Sequence, residues 1–324
     1  MSQLRLNPLA GRWMTVSGDR ADRPAAFYPR TPDVESLDGP CPFCPGNEAA
    51  TEDAVATYGP EGGWLVRVVP NRYPAFTGRD PLVVRNLGPV WTQAPAHGIH
   101  EVLIVSPGHD GSWADLDDTQ TALVMGALRD RMEEHSTAAG VRYTQAIVNH
   151  GREAGASVHH PHAQILGIPF VPKDLSDEEA GFARFAGGCL MCTTLEAEVE
   201  AGHRLVLEDD LAVVVCPFWS GTPYELLVIP RAHEAHLEAA KPPDLAGVGR
   251  ALRISLARVR DLLGDIAYNV VFHTSPHRHD KPFHWHVHVL PKLTTRAGFE
   301  LGTGVLINVV PPEVAASALV EASP

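Results

Sequence analysis

The sequence predicts a chain of mixed strands and helices in which one structural unit is used twice. Two observations carry that reading. A histidine at the end of a predicted strand is followed 51 residues later by another, first as His109 and His160 and again as His233 and His284. Each of these pairs follows a Cys-x-x-Cys knuckle, Cys41 with Cys44 and Cys189 with Cys192, and the strands and helix between the markers recur in one order. A repeated spacing of this kind is the mark of an internal duplication.

At 324 residues the chain is long enough for one large or two ordinary domains with an ample core. Its net charge of -13 and pI of about 5.7 argue against nucleic acid or an anionic membrane as the main partner. A phosphate-bearing substrate therefore needs a local positive pocket. No N-terminal signal pattern and no apolar run near the ~20 residues of a membrane span is evident, so a soluble, cytoplasmic protein is expected. Paired Cys-x-x-Cys motifs beside many histidines suit tetrahedral metal sites better than a disulfide framework. Cys216, at the end of an apolar run from Leu211, reads as a buried small hydrophobe.

Taken in order, the turn Asn7-Pro8-Leu9-Ala10-Gly11-Arg12-Trp13 leads into a strand at Met14–Val16. Arg20 and Arg23, three apart before Pro24, have the chemistry of a phosphate fork. The knuckle Cys41-Pro42-Phe43-Cys44-Pro45-Gly46-Asn47-Glu48 precedes predicted strands at Trp64–Val69 and His100–Val105. Helical spacing runs from Leu116 to about Met132, with Asp115, Asp117 and Asp118 where the helix dipole favours them. A strand at Tyr143–Asn149 then feeds the loop His150–Gly155, whose glycines allow backbone amides to approach a phosphate.

The next stretch is the chemically richest. Ile165-Leu166-Gly167-Ile168 reads as a buried strand, and in that strand His160, His162 and Gln164 would leave on one face. Ser176-x-x-Glu179 fits a capping box opening a linker helix. The second unit follows. It has a strand at Tyr224–Ile229 and a helix face of Leu245, Val248, Leu252, Leu256, Val259 and Leu263, with Gly247 and Gly249 weakening its first turn. A strand at Ile266–Phe272 and the run Phe283–Pro291 complete it, with His286 answering His162 and His288 answering Gln164.

Cys41, Cys44, His109 and His160 make one Cys2His2 set, and Cys189, Cys192, His233 and His284 make another. Four protein ligands leave no open position, which assigns both to structural zinc. With His160 tied to metal, His162 is the free member of its pair. A backbone carbonyl fixing one ring nitrogen would leave the other neutral and aimed at an electrophile, the setting of a nucleophile. Ser157 and Gln164 are placed to donate hydrogen bonds to a phosphoryl group as charge builds. The second unit has Lys281-Pro282-Phe283 in place of Ser157 and its glycine approach, which fits a scaffold role.

Ser157-x-x-His160-Pro161-His162-x-Gln164, the first knuckle, the Asn7-Pro8-Leu9 opening and Arg20-Ala21-Asp22-Arg23-Pro24 together resemble the galactose-1-phosphate uridylyltransferase family of the histidine-triad superfamily. The resemblance spans nearly the whole chain. It implies an α+β fold of two histidine-triad-like halves, residues 1–172 and 173–324, each an antiparallel half-barrel with external helices, paired as a homodimer. It implies ping-pong transfer of UMP from UDP-glucose to galactose 1-phosphate, with His162 as nucleophile and Gln164 and Ser157 on the transferred phosphoryl group. Arg20 and Arg23 match phosphate-contacting positions, and Asn71, Asn149 and Gly155 match nucleotide-contacting ones. Phe299 and Glu300 resemble a segment that reaches the hexose from the partner subunit. The ending Gly298-Phe299-Glu300-Leu301-Gly302-Thr303-Gly304 and the second Cys2His2 set look more like a subgroup with a plant-type ADP-glucose phosphorylase, which hands AMP to phosphate.

Overall fold

Valine, isoleucine and leucine fill the inward positions of the longer strands, as β-branched and apolar side chains packing on a pleated surface do. The computed structural model describes residues 2–20 and 39–322. In chain order the strands and helices begin with β1 (Gln3–Asn7), β2 (Arg12–Val16), β3 (Ala56–Tyr58), β4 (Val66–Pro70), a small hairpin of β5 (Arg85–Asn86) and β6 (Thr92–Gln93), and β7 (Ile99–Ile104). Then come α1 (Asp118–Thr137), β8 (Tyr143–His150), β9 (His162–Ile168), α2 (Lys173–Arg184), α3 (Leu190–Ala201), β10 (Leu205–Glu208), β11 (Ala212–Val215) and β12 (Leu226–Pro230). The series closes with α4 (Pro242–Leu263), β13 (Tyr268–His273), β14 (His286–Pro291), α5 (Gly298–Thr303), β15 (Ile307–Asn308) and α6 (Pro312–Glu321).

Ten of these strands form one sheet in the order β10-β11-β12-β14-β13-β8-β9-β7-β4-β3. Reading outward from the central β13–β8 pair, each strand of one half has its counterpart in the other. The fold is therefore α+β and histidine-triad-like in both halves, as expected, and the duplication is visible as a near two-fold sheet. The two half-sheets fuse through the antiparallel β8–β13 ladder, Asn149 opposite Asn269.

One face of the sheet is covered by α1 and α4, whose Met125, Leu128, Leu252 and Leu256 join Leu103, Ile165, Val228 and Val287 in the main core. Gly247 and Gly249 make the approach of α4 possible. A Cβ at Gly247 would lie 2.4 Å from Leu211 Cβ, and one at Gly249 3.0 Å from Met125 Cγ. On the opposite face, α2 and α3 cover the second half, where Phe182, Leu190 and Leu195 pack on Val213, Val215, Leu227 and Ile229. In the first half, Phe43 and Trp64 pack on Val69, Val102 and Ile104, while Leu166 of β9 packs against the α2–α3 cluster.

The N-terminal hairpin closes on the second half: β15 pairs in parallel with β2, and Arg5 meets Glu313 at 2.9 Å. The helix expected from Leu116 begins at Asp118, because the Asp117 carboxylate accepts from Gln120 N–H at 2.7 Å and caps it. The capping box expected at Ser176 does not form. Pro172, lacking an N–H, sits ahead of the first turn, so α2 starts at Lys173, and the Ser176 hydroxyl bonds back to the Pro172 carbonyl at 3.2 Å. No helix among the described residues is long and apolar enough to cross a membrane.

Candidate active site and metal centres

The strand expected to carry His160, His162 and Gln164 on one face begins only at His162. His160 lies in the preceding turn, where Val105 N–H donates to Pro161 O at 3.2 Å, and its Nδ1 lies beside the sulfurs of Cys41 and Cys44. His162 and Gln164 do share a face, while Ala163 and Ile165 enter the core beneath α1. The turn itself creates the chemistry. His162 Nδ1–H donates to the His160 carbonyl at 2.8 Å, so the bare nitrogen of the neutral ring is Nε2. Burial lowers the His162 pKa and keeps the ring neutral, and the Phe43 ring lies 5.4 Å from it.

Gln164 Oε1 lies 2.9 Å from His100 Nε2, and Asn71 Nδ2 lies 3.1 Å from the same nitrogen. Asn71 thus stands beside Gln164. Asn149 accepts from Asn269 Nδ2 at 2.8 Å, and Asn269 also bonds Ala154 O, which ties the glycine loop to the sheet. Gly155 adopts φ +94°, a left-handed conformation that favours glycine, and a Cβ there would be 3.6 Å from Asn149 Nδ2. Ser157 is exposed on the following loop. Arg20 is exposed at the end of the turn Gly18–Arg20, and Arg23 lies outside the described residues. Phe299 is exposed on α5, and Glu300 accepts from Ala297 N–H at its N-terminus. No described contact joins Arg20, Phe299 or Glu300 to His162 within the chain.

Both Cys2His2 sets assemble, the ligand atoms of each lying within 4.8 Å of one another. Cys44 Sγ is 3.3 Å from His109 Nδ1 and 3.6 Å from His160 Nδ1, and Cys192 Sγ is 3.5 Å from the Nδ1 atoms of both His233 and His284. A tetrahedral zinc with usual bond lengths sets sulfur and nitrogen roughly 3.6 Å apart, so the donors fit. Each inner histidine is oriented from behind: His160 Nε2–H donates to Ser106 O at 2.8 Å and His284 Nε2–H to Pro230 O at 3.0 Å. Burial, with the neighbouring Cys189, pushes the Cys192 thiol up to about 12, so the thiolates need a cation beside them. Each set could hold one tetrahedral metal ion.

The structure brings together a third set that the sequence reading missed. Glu178 of α2 meets His273 of β13 and His286 and His288 of β14, all four ligand atoms within 4.8 Å. His273 Nδ1 lies 3.0 Å from both Glu178 oxygens, while His286 Nε2 and His288 Nε2 are buried without a hydrogen-bond partner. Those orphaned nitrogens aimed at a carboxylate suit a divalent transition metal. The signal was in the repeat. A shift of 124 positions carries His109 onto His233 and His160 onto His284, and it carries Asn149, His162 and Gln164 onto His273, His286 and His288. The positions held by Asn149, His162 and Gln164 in one half build a metal-competent cluster in the other.

A duplicated histidine-triad-like fold with one bare imidazole nitrogen beside a zinc-competent knuckle places the chain among the nucleotidyltransferases, as its relatives show. The family model described as galactose-1-phosphate uridyl transferase, N-terminal domain, matches residues 1–172, and one described as a domain of unknown function matches 116–322. An ADP-glucose phosphorylase of Arabidopsis thaliana is 31% identical over 99% of this chain and 93% of its own length. A galactose-1-phosphate uridylyltransferase of Thermotoga maritima is 28% identical, over 99% of this chain and 98% of its own. The crystal structure of the Arabidopsis phosphorylase with bound ADP-glucose superposes with a TM-score of 0.85 at 29% identity, covering 100% of both chains. The chain belongs to the galactose-1-phosphate uridyl transferase family.

Proposed function

We propose that the protein transfers AMP from ADP-glucose to inorganic phosphate through a covalent intermediate on His162. The observation that carries the covalent step is the Nδ1 bond of His162 to the His160 carbonyl, which leaves Nε2 as the nucleophile. Nε2 attacks the α-phosphorus. The N–P bond forms as the bond to the bridging oxygen breaks, and glucose 1-phosphate leaves with the electron pair. A phosphate oxygen then attacks the same phosphorus, the N–P bond breaks, and Nε2 is restored.

In this reading Gln164 and Ser157 donate to the non-bridging oxygens, and Asn71, Asn149 and Gly155 hold the nucleotide. Arg20 and Arg23 contact phosphate, and Phe299 and Glu300 reach the sugar from a second copy in a homodimer. Zinc held by Cys41, Cys44, His109 and His160, and by Cys189, Cys192, His233 and His284, would fix the two knuckles against the sheet. ADP-glucose is favoured by full-length similarity to the Arabidopsis phosphorylase. A second reading, UMP from UDP-glucose to galactose 1-phosphate, is supported by the family model over 1–172 and by the Thermotoga relative.

Intact-mass spectrometry after mixing with each donor decides between them, with His162→Ala as control. An AMP-sized addition absent from the variant is the expected result. A UMP-sized addition moves the function to uridylyl transfer, and no addition from either donor overturns the covalent step.

A further inference from the structure

We propose that His100 is a positioning residue that decides which end of the Gln164 amide faces the phosphoryl group. The proposal rests on the nucleotidyl-transfer reading of the His162 cleft. Its starting point is a backbone donor: Ala75 N–H lies 3.1 Å from His100 Nδ1, so that nitrogen accepts and the proton of the neutral ring sits on Nε2. Nε2–H then donates to Gln164 Oε1 at 2.9 Å. With its oxygen engaged, Gln164 presents only its NH2 to the cleft that it shares with His162 two residues earlier on β9. An NH2 group is what an anionic phosphoryl oxygen needs, and a carbonyl oxygen in its place would repel it.

The fixed backbone donor of Ala75 excludes the other tautomer. Asn71 Nδ2 stands 3.1 Å from His100 Nε2 with its own oxygen held by Tyr73 N–H at 2.8 Å, so Asn71 offers a donor there and competes with Gln164 for that nitrogen. If Asn71 donated to Nε2, the proton would move to Nδ1 and oppose the Ala75 N–H. Gln164 would then have to reverse and show its oxygen to the phosphate. Ala75 thereby sets the tautomer, the tautomer sets the Gln164 amide, and the amide supplies a donor beside His162.

The test joins a spectroscopic and a kinetic readout. Nitrogen-15 NMR of the zinc-loaded, histidine-labelled protein, assigned with His100→Gln, is expected to show His100 protonated on Nε2. A signal protonated on Nδ1 overturns the proposal whatever the substrate is. In turnover, His100→Leu removes the donor and is expected to lower kcat about tenfold with KM within about twofold, the scale of one lost hydrogen bond. His100→Gln supplies an amide donor and is expected to restore most of that loss. In a Gln164→Ala background the further effect of His100→Leu should be much smaller than in the wild type, because the proposed route runs through Gln164. Additive losses, or equal losses in His100→Leu and His100→Gln at unchanged melting temperature and metal content, overturn it. Absence of any nucleotidyl adduct on the wild-type protein would instead fail the transfer reading, leaving the NMR result to judge the orientation.

Discussion

The Nδ1–H of His162 donates to the carbonyl of His160 at 2.8 Å, and in the second half His286 makes the same bond to His284, also at 2.8 Å. The duplicated turn has thus fixed two imidazoles alike, but their free nitrogens meet different surroundings. His162 lies on the face of β9 that carries Gln164, with the Phe43 ring 5.4 Å away. His286 Nε2 lies 3.8 Å from Glu178, in a cluster with His273 and His288. On the proposed reading only the first meets a substrate, so His162→Ala should abolish adduct formation and His286 should not substitute for it. Melting temperature should move by no more than about 5 °C, the effect of roughly 1 kcal/mol. A larger fall, or a surviving adduct, would remove His162 from the chemistry.

Metal content separates the two Cys2His2 sets. Cys44→Ser should lose one metal equivalent and most of the turnover, because His160 would no longer be pinned beside His162. Cys192→Ser should also lose one equivalent and unfold at least about 10 °C earlier, as expected where a structural zinc supplies folding energy. Adduct formation should persist in the second variant under folded conditions. A variant of either cysteine with full metal content would refute the ligand assignment.

Glu178 is the sole carboxylate among three histidines in the third cluster. Burial pushes its carboxyl up, but the charges of His273, His286 and His288 hold it down, to about 2. Glu178→Ala should lower stability by about 3–5 kcal/mol, the cost of breaking a buried charged pair, measured by denaturant unfolding. Loss of a further metal equivalent should accompany it, without loss of the two tetrahedral ions. An unchanged unfolding midpoint would mean the cluster holds neither charge nor metal.

These centres differ in how far the sequence disclosed them. The two Cys2His2 sets were legible because knuckle and spacing are local signals repeated at one interval. The third was not, since Glu178 comes from a helix whose start was misplaced at Ser176, and His273 lies at a strand end with no motif of its own. His286 and His288 were seen as echoes of His162 and Gln164, yet what they face is a product of packing. Strands β2, β4, β7, β8, β12 and β13 and the helices α1 and α4 lie within a few residues of the positions their periodicity predicts, whereas β1, β3, β10, α3 and α6 were not read. Fusion of the halves through β8 and β13, and the crossing of the N-terminal hairpin to β15, carry no local signature.

Gly181 in α2 tests how tightly that helix must approach. A Cβ there would lie 1.9 Å from the Leu9 carbonyl oxygen, a backbone atom that cannot rotate away. An ordinary helical Gly→Ala change gains roughly 1 kcal/mol. Here the sign should reverse. Gly181→Ala should destabilise by about 3 kcal/mol and, by displacing α2, loosen the hold of Glu178 on His273. Stabilisation on denaturant unfolding would show that α2 docks more loosely than described.

A pH dependence follows from Glu238 in the turn after β12. Burial pushes its carboxyl up, but His236 Nδ1 at 3.7 Å and the His277 Nδ1–H donating at 2.9 Å hold it down at about 2. Its folded pKa is below the ordinary 4.5, so its contribution is complete above pH 4.5 and is lost as pH falls toward 2. His236 shifts the other way. Glu238 raises its pKa above 6.5, so that contribution is complete below pH 6.5 and disappears as pH rises through the folded value. The pair therefore stabilises most between pH 4.5 and 6.5. The stability difference between wild type and Glu238→Gln should peak there, on the order of 1–3 kcal/mol, and narrow on both sides. His236→Gln should remove the alkaline limb and leave the acid limb, which His277 sustains. A difference that stays flat from pH 3 to pH 9 would place the stabilisation in packing rather than in charge.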